Sequence, residues 1–177
     1  QPNNFCLPLN LPQLADASIT GANLSQATGV TVSLANVTAT IKASSTDAQL
    51  DLRIQIPSNA GVGTGNLTFQ RAYGGNQVLN NAITINSFTV TGVVPNSGAQ
   101  GTQVNVVISG TCFDATAIIK QVNVSGLGVS VSNVLVVDNH TITCTFDVGG
   151  AAPKTARDVT VKLGSPSVVL ANAFTVV

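Results

Sequence analysis

The chain has 177 residues, 8% of them charged and 44% apolar, and a formal net charge of zero. That balance is too apolar for a disordered chain. Its seven Lys and Arg are scattered, which argues against a nucleic-acid partner. No apolar run approaches the roughly 18–20 residues of a membrane-spanning helix. Met, Trp and Glu are absent. A translated chain starts with Met, so Gln1 is expected to be a processed end left by signal-peptide removal, with a trimmed boundary as the alternative. A secreted, cell-surface location follows from that expectation.

In chain order, QPNNFCLPLNLPQLAD (1–16) reads as an irregular arm. The phrase ASITGANLSQATG (17–29) follows as a strand end and turn. Alternating apolar and polar residues then predict strands at GVTVSL (29–34), NVTATIKAS (36–44), QLDLRIQI (49–56) and GNLTFQRA (65–72). YGGNQ (73–77) is a turn, and VLNNAITI (78–85) closes the first half. After the turn PNSGAQG (95–101) come QVNVVISG (103–110), GVSVSNVLVV (128–137), TITCTFDV (141–148) and RDVTVKL (157–163), with GGAAP (149–153) as a turn. FDATAIIKQ (113–121) holds a helical turn at most. Val, Thr, Ser and Asn dominate these runs, which is strand composition.

The two halves align in order. SITGANLS matches VISGTCFD, TGVTVS matches LGVSVS, and LDLRIQIPSNAG matches ITCTFDVGGAAP. GNLTFQ matches RDVTVK, and VLNNAITI matches VVLANAFTV. A repeat of roughly ninety residues is the span of an immunoglobulin-like sandwich. The expected fold is all-β: two tandem immunoglobulin-like β-sandwiches, 1–86 with an irregular arm over about 1–16, and 87–177. The linker between them is almost absent, which predicts a short stiff junction.

The stretch VTGVVPNSGAQGTQVNVVISGTCF resembles the opening of an IPT/TIG-type immunoglobulin-like domain, with its Pro-x-Ser-Gly turn, Gly-Thr, strand and Gly-x-x-Phe turn. NHTITCTFDV, TARDVTV and NAFTVV fit the same pattern. The resemblance covers 87–177 well and 18–86 only in part, because the first half lacks the Pro-x-Ser-Gly turn and an alternating first strand. It implies binding or spacing roles in large surface proteins. The DNA-contacting branch of the family does not fit this charge balance.

Little here suits catalysis. The single histidine, His140, sits in VVDNHTIT, a turn between strands. Asp47 and Asp51 are close in sequence, but they flank a strand start rather than forming a paired acid and base. Tyr73 is the only Tyr, so a stacking platform for sugars is thin. No metal spacing, calcium loop or phosphate-cradling glycine run occurs, so neither metal nor cofactor is expected. Sequons fall at Asn23, Asn36, Asn66, Asn123 and Asn139; they matter only where such sites are glycosylated.

Three cysteines remain: Cys6, Cys112 and Cys144. In an immunoglobulin-like sandwich the strands near Cys112 and Cys144 neighbour each other in one sheet, so a Cys112–Cys144 disulfide is expected. It would close a loop of about thirty residues and contribute ~3 kcal/mol. The alternative is two buried free thiols. The aligned positions in the first half lack cysteine at both places. Cys6 is left over, for an intermolecular contact with another copy, for a lipid or partner, or for burial.

The functional expectation is a non-catalytic extracellular structural protein that self-assembles into a pilus-like surface filament by β-strand addition between copies. Candidate contact residues are Phe5, Cys6, Leu7, Leu9 and Leu11 of the arm, with Val176 and Val177 at the other end. The alternative is an adhesin, or a carbohydrate- or protein-binding spacer module of a larger surface protein.

Overall fold

The computed structural model describes residues 3–7, 12–164 and 166–177. The chain forms two compact units, 1–87 and 88–177. Each is an immunoglobulin-like β-sandwich.

In the first unit, one sheet has the order β1-β7-β6-β3, from β1 (Asn3–Cys6), β7 (Gln77–Asn86), β6 (Gly63–Arg71) and β3 (Ala27–Val32). The facing sheet has three strands, β2-β5-β4, from β2 (Gln13–Thr20), β5 (Gln49–Ile56) and β4 (Thr38–Ile41). In the second unit, one sheet is β11-β14-β15-β9, from β11 (Lys120–Val124), β14 (Ala156–Leu163), β15 (Ser167–Val176) and the short β9 (Ser97–Gly98). Its facing sheet has four strands, β12-β13-β10-β8, from β12 (Val129–Val136), β13 (Thr141–Val148), β10 (Thr102–Thr111) and β8 (Thr89–Val94).

Strand alternation places the core. In β5, Leu50, Leu52, Ile54 and Ile56 point inward and are all but inaccessible. They meet Leu67, Ile83 and Ile85 from the opposite sheet. The second unit repeats this with Ile142, Cys144, Phe146 and Val148 from β13, facing Val159, Val161, Phe174 and Val176. Phe146 and Phe174 meet edge to face with centroids 5.0 Å apart, the favoured geometry of an aromatic pair.

The repeat is preserved down to backbone devices. Asn81 and Asn172 both take left-handed φ values of 52°. Each marks an irregularity in a hairpin, β6–β7 or β14–β15. The Asn81 N–H donates to Asn66 Oδ1 at 2.9 Å, and the Asn172 N–H donates to Asp158 Oδ1 at 2.8 Å. Ser33 Oγ accepts the N–H of Asn66, and Ser125 Oγ accepts the N–H of Asp158.

That last correspondence corrects the alignment of one strand. Ser33 and Ser125 are counterparts, so TGVTVS (28–33) matches KQVNVS (120–125), not LGVSVS. LGVSVS belongs to β12, whose counterpart is β4. The sequence reading passed over β11 because exposed Ile118 and Ile119 precede it and obscure the phase of Val122 and Val124. FDATAIIKQ holds no helix; Asp114 Oδ1 accepts the N–H and hydroxyl of Thr116 to make a turn. The arm is also more regular than expected. Residues 3–6 form β1, parallel to β7, and β2 begins at Gln13.

Candidate strand-docking site

The expected Cys112–Cys144 bridge does not form. Cys6 and Cys112 are the disulfide-bonded cysteines, and Cys144 is a free, buried thiol. Register explains the failure. Cys144 lies opposite Val106 in the β10–β13 ladder. Cys112 is six residues further along, about 20 Å at strand rise, whereas a disulfide needs Cα atoms within about 7 Å. Neighbouring strands are necessary for a bridge but not sufficient. Cys144 occupies the core slot that Leu52 fills in the first unit, and burial pushes its thiol up to about 11. Cys112 has φ 58° and its counterpart Asn23 has φ 57°. Both close the same left-handed turn, a conformation in which Asn is common and Cys is not.

The two units differ at the strand before that turn. In the second unit β10 is flanked on both sides, by β13 and by β8. Val93 of β8 stands opposite Ile108, and Val90 opposite Gly110. Phe88, just before β8, packs edge to face on Phe113 at 5.8 Å. Ile108, Val90, Val93, Phe88 and Phe113 are all buried in consequence.

In the first unit β2 pairs with β5 alone among the described residues. Ile19, the counterpart of Ile108, is half-buried. Leu24, the counterpart of Phe113, is half-buried too. Where Phe88 and Phe113 fill the second unit, the first has a cleft of about 280 Å³ lined by Ile19, Gly21, Leu24, Phe69 and Leu79 among others. Gly21 donates its N–H to Ala48, across toward β5. Strand alternation therefore turns the backbone N–H and C=O of Ser18 and Thr20 to the open edge.

The glycines report the same difference. A Cβ at Gly110 would run into the carbonyl of Thr89, next to β10, and would lie 2.5 Å from the Phe113 ring. The nearest neighbour of a Cβ at Gly21 would be the Leu24 side chain, at an ordinary contact distance of 3.5 Å. A glycine that a neighbouring strand requires in one unit is retained in the other, where no described strand requires it.

The remaining expected residues fall as follows. Phe5 and Cys6 lie in β1, paired with β7, and Phe5 and Leu7 pack on the core of their own unit. Val176 is buried in β15, and Val177 is half-exposed, its N–H donating to Gly98. Leu9 and Leu11 lie outside the described residues. Asn23, Asn36, Asn123 and Asn139 are exposed, while Asn66 is half-buried with its side-chain oxygen engaged by Asn81. His140 sits in an exposed turn, its N–H held by Asp138 Oδ1 at 2.7 Å. Asp47 and Asp51 bind separate hydroxyls, Ser25 for one and Ser18 and Ser44 for the other. They form no shared site. Tyr73 is exposed in the β6–β7 hairpin.

Sequence reasoning missed Arg157. It is buried, and its guanidinium donates to the carbonyls of Ser125, Leu127 and Pro153 at 2.9–3.1 Å. It fastens three loop carbonyls rather than facing a cleft. Its counterpart is Gly65, where Leu34 fills the adjacent space. Among the described residues, no group of three or more His, Cys, Asp or Glu is placed to hold a metal ion, and no helix is long and apolar enough to cross a membrane.

No family model matches the chain, and no curated protein matches it. Solved structures similar to it include the plexin A4 extracellular region, at 16% identity over 97% of this chain and 17% of that one, with a TM-score of 0.47. A second is the surface glycan-binding protein PbSGBP-B from Prevotella bryantii, at 16% identity over 95% of this chain and 37% of that one, with a TM-score of 0.34. A third is the S-layer protein SbsC, domains 4 and 5, at 15% identity over 85% of this chain and 71% of that one, with a TM-score of 0.33. The chain spans well under half the length of the first two.

Proposed function

We propose that the chain is a non-catalytic extracellular structural protein, and that copies join into a surface filament when a β-strand from one completes the first sandwich of the next. The observation that carries this reading is the open edge of β2, set against the β8-covered edge of β10 in the same chain. An uncovered edge is a template for strand addition unless it is blunted by proline, bulge or inward charge. The Ser18–Ala22 stretch, SITGA, carries no proline and no charge. A disulfide in a chain of this size fits an oxidising compartment, which supports a secreted or surface location. Zero net charge lowers repulsion between copies.

The test is the native assembly state. Electron micrographs and sedimentation of protein isolated from its source should show filaments or an open-ended ladder of oligomers. A monodisperse monomer at high concentration overturns the filament. It would leave the second reading, a spacer or binding module of a larger surface protein.

A further inference from the structure

We infer that the open edge of β2 and the cleft beside it form one docking site for an antiparallel strand with the chemistry of Phe88–Val94: an aromatic residue entering the cleft, followed by inward-facing Val residues two and five places on. This deepens the strand-addition reading and rests on it for the source of the strand.

The second unit supplies the template. Counterpart residues run Ser18 to Val107, Ile19 to Ile108, Thr20 to Ser109, Gly21 to Gly110 and Ala22 to Thr111. β8 lies antiparallel to that stretch, with Val94 opposite Val107, Val93 opposite Ile108, Gly92 opposite Ser109, Val90 opposite Gly110 and Thr89 opposite Thr111. Transferred to the first unit, an incoming strand takes its hydrogen bonds from the outward backbone of Ser18 and Thr20 and sets one aliphatic side chain over half-buried Ile19. Its leading residue reaches the cleft formed by Gly21, Leu24 and Phe69. Leu24 is smaller than the Phe113 it replaces, which adds to the room for a ring.

Specificity follows from two features. A cleft of about 280 Å³ accommodates an aromatic side chain, so strands without one leave apolar walls wet. Gly21 lets the incoming carbonyl approach as Thr89's approaches Gly110. Any side chain at residue 21 stands in that path.

The test uses the full chain and a synthetic peptide, SFTVTGVV, copying residues 87–94. The peptide is expected to bind saturably at one per chain and to protect the Ser18 and Thr20 amides from hydrogen exchange. Replacing its Phe by Ala should weaken binding roughly tenfold or more. The Gly21→Ala chain should keep its native amide spectrum and lose binding to a similar degree. No saturable binding overturns the inference. So does binding indifferent to the peptide's Phe and to residue 21, or altered protection confined to Ser109, which would mean exchange with β8. The peptide series stands alone if Gly21→Ala fails to fold. Binding as described to a chain that is a native monomer upholds this site and overturns the filament. Native filaments that ignore the peptide do the reverse.

Discussion

The two sandwiches of this chain share hairpin irregularities and a left-handed turn, yet among the described residues one sheet has four strands and its counterpart has three. A single six-residue strand, β8, with Phe88 ahead of it, makes the difference. It buries Ile108 completely, where Ile19 stays half-buried. Much of each sandwich's core is independent of that strand, because β5 and β13 lie centrally and the inward-facing residues of both are buried. A sandwich can therefore keep its core while one edge strand has no second partner among the described residues.

The sharpest break between the units concerns cysteine. Chain unfolded without reductant should expose one reactive thiol, and peptide mapping should place it at Cys144. Native chain should scarcely react at pH 8, because Cys144 is buried and, with its thiol pushed up to about 11, only about one molecule in a thousand carries the thiolate. Label recovered on Cys6 instead would restore the Cys112–Cys144 bridge and remove the present explanation of why Cys112 differs from Asn23.

Next in size is the glycine pair. Gly110→Ala should destabilise the second unit by about 2–3 kcal/mol, because the new methyl overpacks against Thr89 and Phe113. Gly21→Ala should change the first unit by about 0.5 kcal/mol or less, since nothing lies closer to its methyl than Leu24 at 3.5 Å. Denaturant unfolding followed by amide exchange in each unit measures both. Equal costs would mean that the edge of β2 is already covered, and would close the docking site.

Much of the fold was legible in the sequence because its signals are local. Alternation in QLDLRIQI and TITCTFDV gave β5 and β13 to the residue. The repeat was visible because Gly21 and Gly110 recur at the same place before the turn, and because Asn81 and Asn172 sit where the backbone takes a left-handed φ. What failed were questions of register. Cys112 and Cys144 lie on adjacent strands, but their offset along the ladder depends on pairings that neither local pattern contains. β11 was hidden for a related reason, two exposed isoleucines ahead of it that carry no structural phase. The first half lacks the Pro-x-Ser-Gly turn, and among the described residues no second strand pairs with β2, though the arm contains β1. The cleft at Leu24 needed the structure, because it is defined by a ring that is absent. Arg157 needed it too, since a lone arginine in a strand reads as exposed.

The hairpin asparagines sharpen the likeness rather than the contrast. Asn81→Val and Asn172→Val should each cost about 1–2 kcal/mol, as a β-branched residue is forced into the left-handed region. Asn→Gly at either place should be nearly neutral. Matched effects in the two units, read from urea midpoints, would show that the device is the same in both. A cost at only one would mean that the shared φ conceals different roles.

The smallest effect is acid sensitivity, and it too is unequal. Asp16, Asp47 and Asp51 of the first unit, and Asp138 of the second, are held below the usual carboxylate value of 3.8. For Asp51 the foremost cause is the Ser18 hydroxyl at 2.7 Å, with Ser44 and Gln49 next. Ser18 lies on β2 itself, so this carboxylate fastens the open-edge strand to β5. A carboxyl whose folded pKa is lowered adds stability above its unfolded value and loses it as pH falls through the folded one. The loss should therefore begin below about pH 3.8 and appear first in the first unit. These side chains are exposed, so the effect is a modest tilt in stability rather than collapse. Amide exchange in each unit from pH 6 to pH 2 reads it directly. Asp51→Asn should flatten the response of β2 while leaving β10 unchanged. If β10 loosens first, the second unit is the weaker one in acid, and the completed sheet confers less than its extra strand implies.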